Sequence, residues 1–434
     1  MICEILCVGT EILLGDIVNT DAAFIARELA SLGFSSSHQT VVGDNPERLR
    51  AAVDEALSRS DILIVTGGLG PTCDDITKLA VAEAFGRAMH TDPDVRCDLE
   101  EFFRRIGRTM TENNLSQAEI PDGAVVFRNK WGTAPGIALS GELGGSTRHA
   151  ILLPGPPSEC EPMFVECAEP YLRALSPHTI YSLNLHLHSI GESGAEAILR
   201  PMMESSVNPT IAPYACEHEV RIRVTAFADT LEDARAMCRR TADEIYRTDV
   251  APYIYTETDT PEAAKNAIVL ALISELRSHG ATFATAESCT AGMIASRVGD
   301  IAGASDVLLG GIVAYANSVK ENVLGVPHEV LETYGAVSEQ CARYMAEGAR
   351  RLTGATVAVS VTGIAGPGGG TPEKPVGTVC FGIADERGTS TFTVHFNGRN
   401  DRSKVRRLTV ARAMLLTIER LRSSGSSEGL EAEL

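Results

Sequence analysis

Short apolar runs alternate with helix-like segments through the first third of the chain. The runs "CEILCVG", "HQTVVGD" and "DILIVTGGLGP" predict buried strands, and "GAVVFRN", "GIALS" and "HAILLPG" predict further ones. The intervening "DAAFIARELASLGF" and "PERLRAAVDEALSRS" carry apolar residues at helical spacing. Strands alternating with helices are typical of a parallel sheet covered on both faces. We therefore expect a doubly wound α/β domain over residues 1–174.

The pattern changes over residues 175–258. The stretches "YSLNLHLHSI" and "EVRIRVTAF" alternate apolar and polar residues with period two, whereas "GAEAILRPMMESS" and "LEDARAMCRRTADEIY" have helical spacing. This combination predicts a small α+β domain whose antiparallel or mixed sheet is half open to solvent. The following "YTETDTPEAAK" is typical of a linker that runs into a helix start at Pro261.

Residues 259–422 return to the α/β pattern. Strands are predicted at "ATFATAE", "SDVLLGGIVAYAN" and "TVAVSVTG", and a hairpin at "VGTVCFGIAD" and "STFTVHF". A long closing helix is expected at "DRSKVRRLTVARAMLLTIERL", and the polar tail 423–434 is expected to be disordered. The fold class is thus two α/β domains, the first doubly wound, joined by a small α+β domain.

Composition narrows the possible functions. The net charge of −19 makes a nucleic acid an improbable main partner, because phosphate backbones bind basic surfaces. The 11 cysteines contain no C-x-x-C pair and indicate reduced thiols in the cytoplasm rather than a disulfide framework. No apolar run approaches the roughly 18 residues that would indicate a membrane span. We expect a cytoplasmic protein that acts on small molecules.

The stretch "TAESCTAG" at 285–292 places Glu287, Ser288, Cys289 and Thr290 between a predicted strand and a predicted helix. A nucleophile on such a turn is typical of hydrolases, and the N–H groups at the helix start can hold an oxyanion or a phosphate. Two alternatives stay open from the residues alone. Ser288 or Thr290 can simply cap the helix, and Cys289 can replace Ser288 as the nucleophile.

Two further stretches favour chemistry at this turn. Tyr315 and Lys320 lie in "GGIVAYANSVKENVLGV", just after an apolar strand, and a desolvated lysine can act as the base for a serine. The alternative for Lys320 is an ordinary solvated surface residue. The loop "TGIAGPGGGTPEKPVGT" leaves another buried strand, at the sheet edge where open α/β sheets bind ligands.

A second group of polar residues follows two strands of the first domain, in "VGTEILLGDIVNTD" and "VTGGLGPTCDDITK". We expect Glu11, Asp16, Asp74 and Asp75 to meet at the carboxyl edge of that sheet. Clustered carboxylates suit a divalent cation, and the glycines at 67, 68 and 70 allow a phosphate to approach the backbone. The alternative is that Asp74 and Asp75 cap a helix and Asp16 lies in a turn.

The C-terminal motifs resemble the CinA C-terminal domain, a nicotinamide mononucleotide deamidase; they are "TAESCTAG", "GGIVAYANSVKENVLGV", "GAVSE", "VSVTGIAGPGGGTPEKPVGTV" and "DRSKVRR". The resemblance implies hydrolysis of a carboxamide without a cofactor, with Ser288 as nucleophile, Lys320 as base and Tyr315 as hydrogen-bonding partner. The family's pattern usually has two glycines after the threonine, whereas this chain has Ala291 and Gly292. Arg402 and Arg406 are phosphate-pairing candidates or, alternatively, a basic helix face. The substrate-binding candidates are Thr290, Gly292, Gly363, Ala365, Arg402 and Arg406.

The N-terminal motifs "GGLGPTCDDITK", "NKWGTAPGI" and "PGPPSECEPMF" resemble the molybdopterin-binding fold of the CinA N-terminal domain. That resemblance implies a metal-dependent ADP-ribose pyrophosphatase using Mg²⁺, Mn²⁺ or Co²⁺. The metal ligands would be Glu11, Asp16, Asp74 and Asp75, with Asp75 also activating water. The substrate contacts would be Asn19, Gly68, Thr72 and Lys130.

The middle segment resembles the KH-type domain of full-length CinA proteins. Its "IGESG" contains a G-x-x-G, but Glu192 puts negative charge where RNA-binding loops meet phosphates. We therefore expect a structural role for this domain. Taken together, the chain is expected to be a homodimeric, bifunctional nucleotide hydrolase. The alternative is a molybdopterin-binding protein or a competence or DNA-damage accessory factor without catalysis.

Overall fold

The computed structural model describes residues 1–175, 179–396 and 401–423. The chain divides into two compact units, one formed by Met1–Ser182 with Thr225–Arg239 and the other by Leu183–Val224 with the chain from Arg240 onward. The predicted disorder at 424–434 lies outside the described residues, whereas Ser423 still caps the last helix. Across the described ranges, no helix combines the length and the apolar character needed to span a bilayer.

The N-terminal domain is a six-stranded sheet with helices on both faces. Its strands are β1 Ile2–Val8, β2 Ser35–Val42, β3 Ile62–Thr66, β6 Val125–Phe127, β7 Gly136–Leu143 and β8 Ser146–Leu153, and a separate pair is formed by β4 Met89–Thr91 and β5 Glu119–Pro121. Its helices are α1 Thr10–Leu14, α2 Thr20–Ser31, α3 Pro46–Arg59, α4 Thr77–Ala84, α5 Pro93–Arg105, α6 Pro157–Met163 and α7 Glu169–Leu175, with a 3-10 helix at Glu112–Ala118 and a π-helix at Phe164–Ala168.

The strand order of this sheet is β2-β1-β3-β8-β7-β6. Strands β2, β1, β3 and β8 are parallel, as expected, and all five residues of β3 are buried because helices cover both faces. The expectation of a wholly parallel sheet is wrong for β7 and β6. Strand β7 pairs antiparallel with β8 because Gly144 and Gly145, both with positive φ, close a tight hairpin between them, and β6 pairs antiparallel with β7.

The middle domain has a four-stranded sheet of order β10-β11-β9-β12. Its strands are β9 Thr179–Leu187, β10 Thr210–Ala215, β11 Val220–Ala228 and β12 Ile254–Thr258, and its helices are α8 Glu192–Ser205 and α9 Leu231–Ile245. Strand β11 alternates buried and half-buried residues, as its period-two pattern predicts. The linker predicted from "YTETDTPEAAK" is partly wrong, because β12 pairs with β9 and leaves only Asp259 and Thr260 before the next helix.

The C-terminal domain has a five-stranded sheet of order β14-β13-β15-β16-β17. Its strands are β13 Phe283–Glu287, β14 Leu308–Val313, β15 Val357–Gly363, β16 Thr378–Asp385 and β17 Gly388–His395. Its helices are α10 Pro261–Lys265, α11 Ala267–Ser278, α12 Met293–Gly299, α13 Asn317–Asn322, α14 His328–Tyr334, α15 Glu339–Thr353 and α16 Arg402–Arg422.

Two apolar cores sandwich this last sheet. Helices α11, α12 and α16 pack on one face, and α14 and α15 pack on the other. Strands β14, β13 and β15 are parallel, whereas β16 and β17 form the predicted antiparallel hairpin. The carboxyl ends of three parallel strands therefore meet at one sheet edge, where α/β folds place their ligand sites. The expected fold class, two α/β domains joined along the chain by a small α+β domain, is confirmed.

Candidate functional sites

Ser288 lies at the centre of the carboxyl edge of the C-terminal sheet. It follows β13 directly, and its N–H donates to the carbonyl of Val361 on β15 over 3.0 Å. On the other side, the N–H of Ala314 donates to the carbonyl of Glu287 over 2.8 Å. These bonds extend the parallel ladders one residue beyond the strands. The serine is consequently fixed between two loops, with 9% of its surface exposed.

The Lys320 side chain reaches Ser288 from α13, the helix that follows β14. Its Nζ donates to Ser288 Oγ over 3.2 Å and to the carbonyls of Ala314 and Tyr315 over 2.8 and 3.1 Å. Only 1% of the residue is exposed, which contradicts the alternative of a solvated surface lysine. Burial lowers the pKa of Lys320 below its ordinary value. A larger fraction of the amine is therefore neutral at a given pH, and the neutral form is the one that can act as a base.

Glu287 is fully buried and accepts four hydrogen bonds. Its Oε1 accepts from Thr285 Oγ1 and the Ala295 N–H, and its Oε2 accepts from Thr290 Oγ1 and the Ile294 N–H. The carboxylate therefore caps α12. We expected the N–H groups at this helix start to hold an oxyanion or phosphate. That expectation is wrong for the N–H groups of Ile294 and Ala295, because both already donate to Glu287.

A glycine on the neighbouring strand makes this arrangement possible. A Cβ at Gly311 would lie 2.7 Å from Thr285 Oγ1 and 2.8 Å from Ala295 Cβ, both too close for a side chain. Helix α12 can therefore pack directly against β14, and its first N–H groups reach the carboxylate. The turn before the helix contains Ala291 at φ 53° and Gly292 at φ 92°, both left-handed. The alanine adopts a conformation that a glycine would take with less strain.

Cys289 points away from this chemistry. Only 4% of it is exposed, it belongs to the apolar core under α11 and α16, and burial raises the pKa of its thiol to about 12. Among the described contacts, no histidine hydrogen-bonds to Ser288 or Cys289. His328 pairs with Glu321 instead, and His395 contacts Thr378 Oγ1. The buried thiol thus has no base beside it other than Lys320.

Two arginines of α16 reach the loops around Ser288. Arg402 donates to the Gly366 carbonyl and to the hydroxyl of Tyr315, each over 2.9 Å. Arg406 donates to the Thr290 carbonyl over 2.9 Å. These contacts place both guanidinium groups at the site, not on a separate basic face. They also show that Tyr315 meets Lys320 through its carbonyl, whereas its half-exposed hydroxyl meets Arg402.

The remaining predicted contacts of this site differ in accessibility. Thr290 is fully buried, its hydroxyl donates to Glu287 and its carbonyl accepts from Arg406. Its N–H is the backbone group for which no acceptor is described. Gly363 ends β15 and pairs with Val379, and Ala365 is buried in the core. Gly292 caps α12 from the left-handed region. These residues shape the loops around Ser288 rather than offering side-chain groups.

The N-terminal domain contains a cavity of about 510 Å³ at the carboxyl ends of β1, β3 and β8. Its floor includes Gly67 at φ 92°, where a Cβ would lie 2.2 Å from the Val8 carbonyl oxygen, so only glycine fits. The loop that contains Gly67, Gly68 and Gly70, called the glycine loop below, therefore leaves its backbone accessible from the cavity. The cavity is lined by Val8, Gly9, Glu11, Ile17, Asp44, Gly67, Gly68, Leu69, Gly70, Pro71, Thr72, Asp74, Asp75, Gln117, Thr133, Ala134, Pro154, Gly155, Pro156, Pro157 and Glu159.

Carboxylates dominate the polar lining of this cavity. They come from Glu11, Asp44, Asp74, Asp75 and Glu159, and no Lys or Arg lines it within the described ranges. Several are already hydrogen-bonded. Asp75 Oδ2 accepts from the N–H and hydroxyl of Thr72, and Asp44 Oδ2 accepts from the N–H and hydroxyl of Thr10.

The predicted metal ligands do not form a ready-made set. In the part of the chain that the structure describes, no three His, Cys, Asp or Glu side chains are grouped so that they could hold a metal ion. Hydrogen bonds explain part of this, because Thr72 holds Asp75 back against the glycine loop. All the carboxylates are nevertheless hard oxygen donors of the kind that Mg²⁺ and Mn²⁺ prefer. The donor chemistry therefore fits a divalent cation, although the ligands are not converged.

Three predicted residues of the first site lie outside the cavity lining. Asp16 closes the turn after α1, where its N–H donates to the Glu11 carbonyl. Asn19 caps α2 by accepting from the Ala22 N–H. Lys130 is exposed and forms an ion pair with Glu166. Of the predicted set, Glu11, Gly68, Thr72, Asp74 and Asp75 line the cavity.

Comparison with known proteins matches each part of the chain to a described family. Residues 4–174 match a probable molybdopterin binding domain, 182–256 the damage-inducible protein CinA KH domain, and 265–421 the CinA C-terminal domain. A "CinA-like protein" of Dictyoglomus thermophilum is 46% identical over 414 residues, which cover 95% of this chain and 98% of that protein. The chain belongs to the CinA family.

One further relative and two solved structures are also similar to this chain. A "putative competence-damage inducible protein" of Caldicellulosiruptor bescii is 44% identical, with 95% of this chain and 98% of that protein covered. Among solved structures, a competence/damage inducible protein of Agrobacterium tumefaciens is 40% identical and covers 36% of this chain and 95% of its own, with a TM-score of 0.35. A CinA protein of Thermoplasma acidophilum is 33% identical and covers 40% of this chain and 99% of its own, with a TM-score of 0.36.

Sequence reasoning missed Asp44 and Gln117, and it placed Glu287 at the turn and Glu159 at a strand end without predicting the contacts of either residue. Glu287 stands next to Ser288, but its role as cap depends on how α12 packs. Asp44 follows β2, and strand-end position is a signal that could have identified it. Glu159 lies on α6, where it accepts from Asn129 Nδ2. Gln117 lies in a 3-10 helix, and no sequence signal marks it.

Proposed function

We propose that the C-terminal domain hydrolyses the carboxamide of nicotinamide mononucleotide to nicotinate mononucleotide and ammonia. The observation that carries this proposal is the contact of 3.2 Å between Lys320 Nζ and Ser288 Oγ in a nearly closed site. A hydroxyl with an adjacent desolvated amine is a nucleophile with its own base. The resemblance of the surrounding motifs to the CinA deamidase supplies the substrate.

The reaction follows from these positions. The neutral Lys320 amine takes the Ser288 proton as Oγ attacks the carboxamide carbon. The resulting ammonium returns that proton to the leaving nitrogen, so that ammonia departs and an ester to Ser288 remains. Water then attacks the ester, Lys320 again accepts and returns one proton, and the nicotinate carboxylate is released.

The loop after Ser288 offers donors for the charge that develops. In the described hydrogen bonds, the N–H groups of Thr290 and Gly292 have no protein acceptor. These groups, and not those of Ile294 and Ala295, are the candidates for holding the tetrahedral oxyanion. Arg402 and Arg406 keep guanidinium N–H groups beyond those that bond to protein, and they suit the substrate phosphate.

The direct test is ammonia release from nicotinamide mononucleotide by the purified full-length protein. Ser288→Ala should lose activity by orders of magnitude, whereas Ser278→Ala, an exposed serine on α11, should match the wild type. Equal activity of Ser288→Ala and wild type would reject the proposal. A wild type that releases no ammonia but binds a pterin would favour the non-catalytic alternative.

A second activity is supported by the charge of the N-terminal cavity. A diphosphate cannot enter a cavity lined by carboxylates without a cation to compensate both charges. We propose that this domain cleaves the pyrophosphate of ADP-ribose with a divalent cation. Glu11, Asp74 and Asp75 are its candidate ligands, and they must move closer together to hold it. When bound, such a cation supplies Lewis-acid polarisation of phosphoryl oxygens, while the glycine loop offers backbone N–H groups to the phosphates.

Chelation separates the two activities. EDTA should abolish ADP-ribose cleavage and leave ammonia release unchanged, because the carboxylate next to Ser288, that of Glu287, already accepts from four protein donors. Adding back Mg²⁺, Mn²⁺ or Co²⁺ identifies the ion. Equal loss of both activities in EDTA would contradict the assignment of the metal to one domain.

A further inference from the structure

Gln117 carries an unused hydrogen-bonding atom in the wall of the N-terminal cavity. Only 1% of the residue is exposed, yet it lines the cavity. Its Nε2 donates to Thr133 Oγ1 over 3.1 Å. Its Oε1 is buried and accepts from no group in the described part of the chain. A buried acceptor without a donor is unfavourable, and such an atom next to a cavity indicates a ligand that completes it.

The backbone around Gln117 is held in place by hydrogen bonds from neighbouring side chains. The buried amine of Lys78 donates to the carbonyl of Gln117 over 2.8 Å and to that of Ser116 over 3.0 Å. Asn113, in the same 3-10 helix, donates to the carbonyl of Pro71 over 3.2 Å. Lys78 therefore fixes the carbonyl of Gln117, and the contact of Asn113 with Pro71 fixes the 3-10 helix next to the glycine loop.

The rest of the cavity shows which kind of ligand group fits. Its ionised carboxylates and the Gln117 Oε1 are all acceptors, and a phosphate brings only further acceptors. The part of the ligand that meets Gln117 must therefore be its neutral, donor-bearing part. We propose that Gln117 is a specificity-determining residue that accepts a hydrogen bond from an N–H or O–H donor on the nucleoside portion of the substrate. This inference rests on the proposed pyrophosphatase function.

The test measures binding of the non-cleavable α,β-methylene analogue of ADP-ribose to the full-length protein with Mg²⁺, by calorimetry. Gln117→Met should bind the analogue about ten-fold more weakly, the typical effect of one lost buried hydrogen bond. Ser116→Ala is the matched control, because Ser116 is an exposed residue of the same 3-10 helix and lies outside the cavity lining, and it should bind within about two-fold of wild type. Circular dichroism establishes that both variants are folded.

Ligand variants that each lack one donor identify which donor Gln117 accepts from. The hypoxanthine counterpart lacks the adenine amino donor, and deoxy forms each lack one ribose hydroxyl. One of these should bind about ten-fold more weakly than the parent, and Gln117→Met should not distinguish that pair. Wild-type discrimination that persists in Gln117→Met, or equal weakening by Ser116→Ala and Gln117→Met, would overturn the role of Gln117. A wild type that neither binds the analogue nor cleaves ADP-ribose would instead reject the pyrophosphatase proposal, and this ligand assignment with it.

Discussion

Replacing Lys320 with Met removes the amine beside Ser288 and keeps a side chain of similar length. Two carbonyls lose their donor in this variant, those of Ala314 and Tyr315. Each buried orphan acceptor costs about 1–3 kcal/mol, partly offset because no amine has to be desolvated. We therefore expect a folded protein whose unfolding free energy is lower by about 1–3 kcal/mol.

The effect on catalysis should be far larger. Loss of a general base typically lowers the rate by about 10²–10⁴-fold. A loss of about 10³ corresponds to about 4 kcal/mol of transition-state stabilisation, at about 1.4 kcal/mol per decade. If Lys320 acts only on Ser288, then Ser288→Ala, Lys320→Met and the double variant should all fall by a similar factor. Independent contributions would instead add to about 8 kcal/mol in the double variant.

The assay is a double-mutant cycle on ammonia release under saturating nicotinamide mononucleotide, with folding followed by circular dichroism. Near-complete coupling, in which the double variant is no slower than the slower single variant, supports one catalytic unit. Additive losses would refute the reasoning, as would a Lys320→Met variant that stays within about ten-fold of the wild type.

Three further predictions concern the same site. Cys289→Ala should keep most of its rate, and thiol alkylation should not inhibit the wild type, because burial raises the Cys289 pKa to about 12; inactivation in both tests would transfer the nucleophile role to the thiol. The value of kcat/KM should rise with pH as Lys320 loses its proton, since only the neutral amine is a base. The rise should occur below pH 10.5, because burial lowers the pKa of Lys320 from that ordinary value. A flat profile would argue against Lys320. The unfolded chain binds this proton more tightly, so the contribution of Lys320 to stability should also rise with pH up to about 10.5. Glu287→Gln should lower kcat and cost about 2–3 kcal/mol in chemical denaturation, because an amide cannot accept from four donors; an unchanged stability would show that the carboxylate cap is dispensable.

Sequence pattern placed Ser288 and Lys320 near one sheet edge because apolar runs mark the strands that precede them. The runs before Ser288 and Tyr315 are apolar, and the carboxyl ends of neighbouring parallel strands must share one edge. The contact between Ser288 and Lys320 follows once those strands are adjacent. The start of α12 was less predictable. Its first N–H groups are taken by Glu287 because Gly311 lets the helix approach the sheet, and such packing is not visible in local sequence.

Other errors have the same tertiary origin. A strand such as β7 has the same alternation whether its neighbour runs parallel or antiparallel, so pattern alone could not assign its direction. Strand β12 resembled a linker because several of its side chains are polar. It is a strand because it pairs with β9, which local sequence does not show. The domain assignment survived these errors, since each domain has its own repeating pattern over many residues.

The two sites differ in how completely their polar groups are paired, and this difference bears on what each requires from its substrate. In the C-terminal site Glu287 and Lys320 are saturated by protein groups, so the serine and its base are assembled before any substrate arrives. The N-terminal cavity instead has an excess of acceptors, five carboxylates and Gln117 Oε1, with no basic side chain in its described lining. Such a cavity is complete only when a ligand brings donors and a cation brings positive charge. Ligand should therefore organise the first site, whereas the second needs only to admit its substrate.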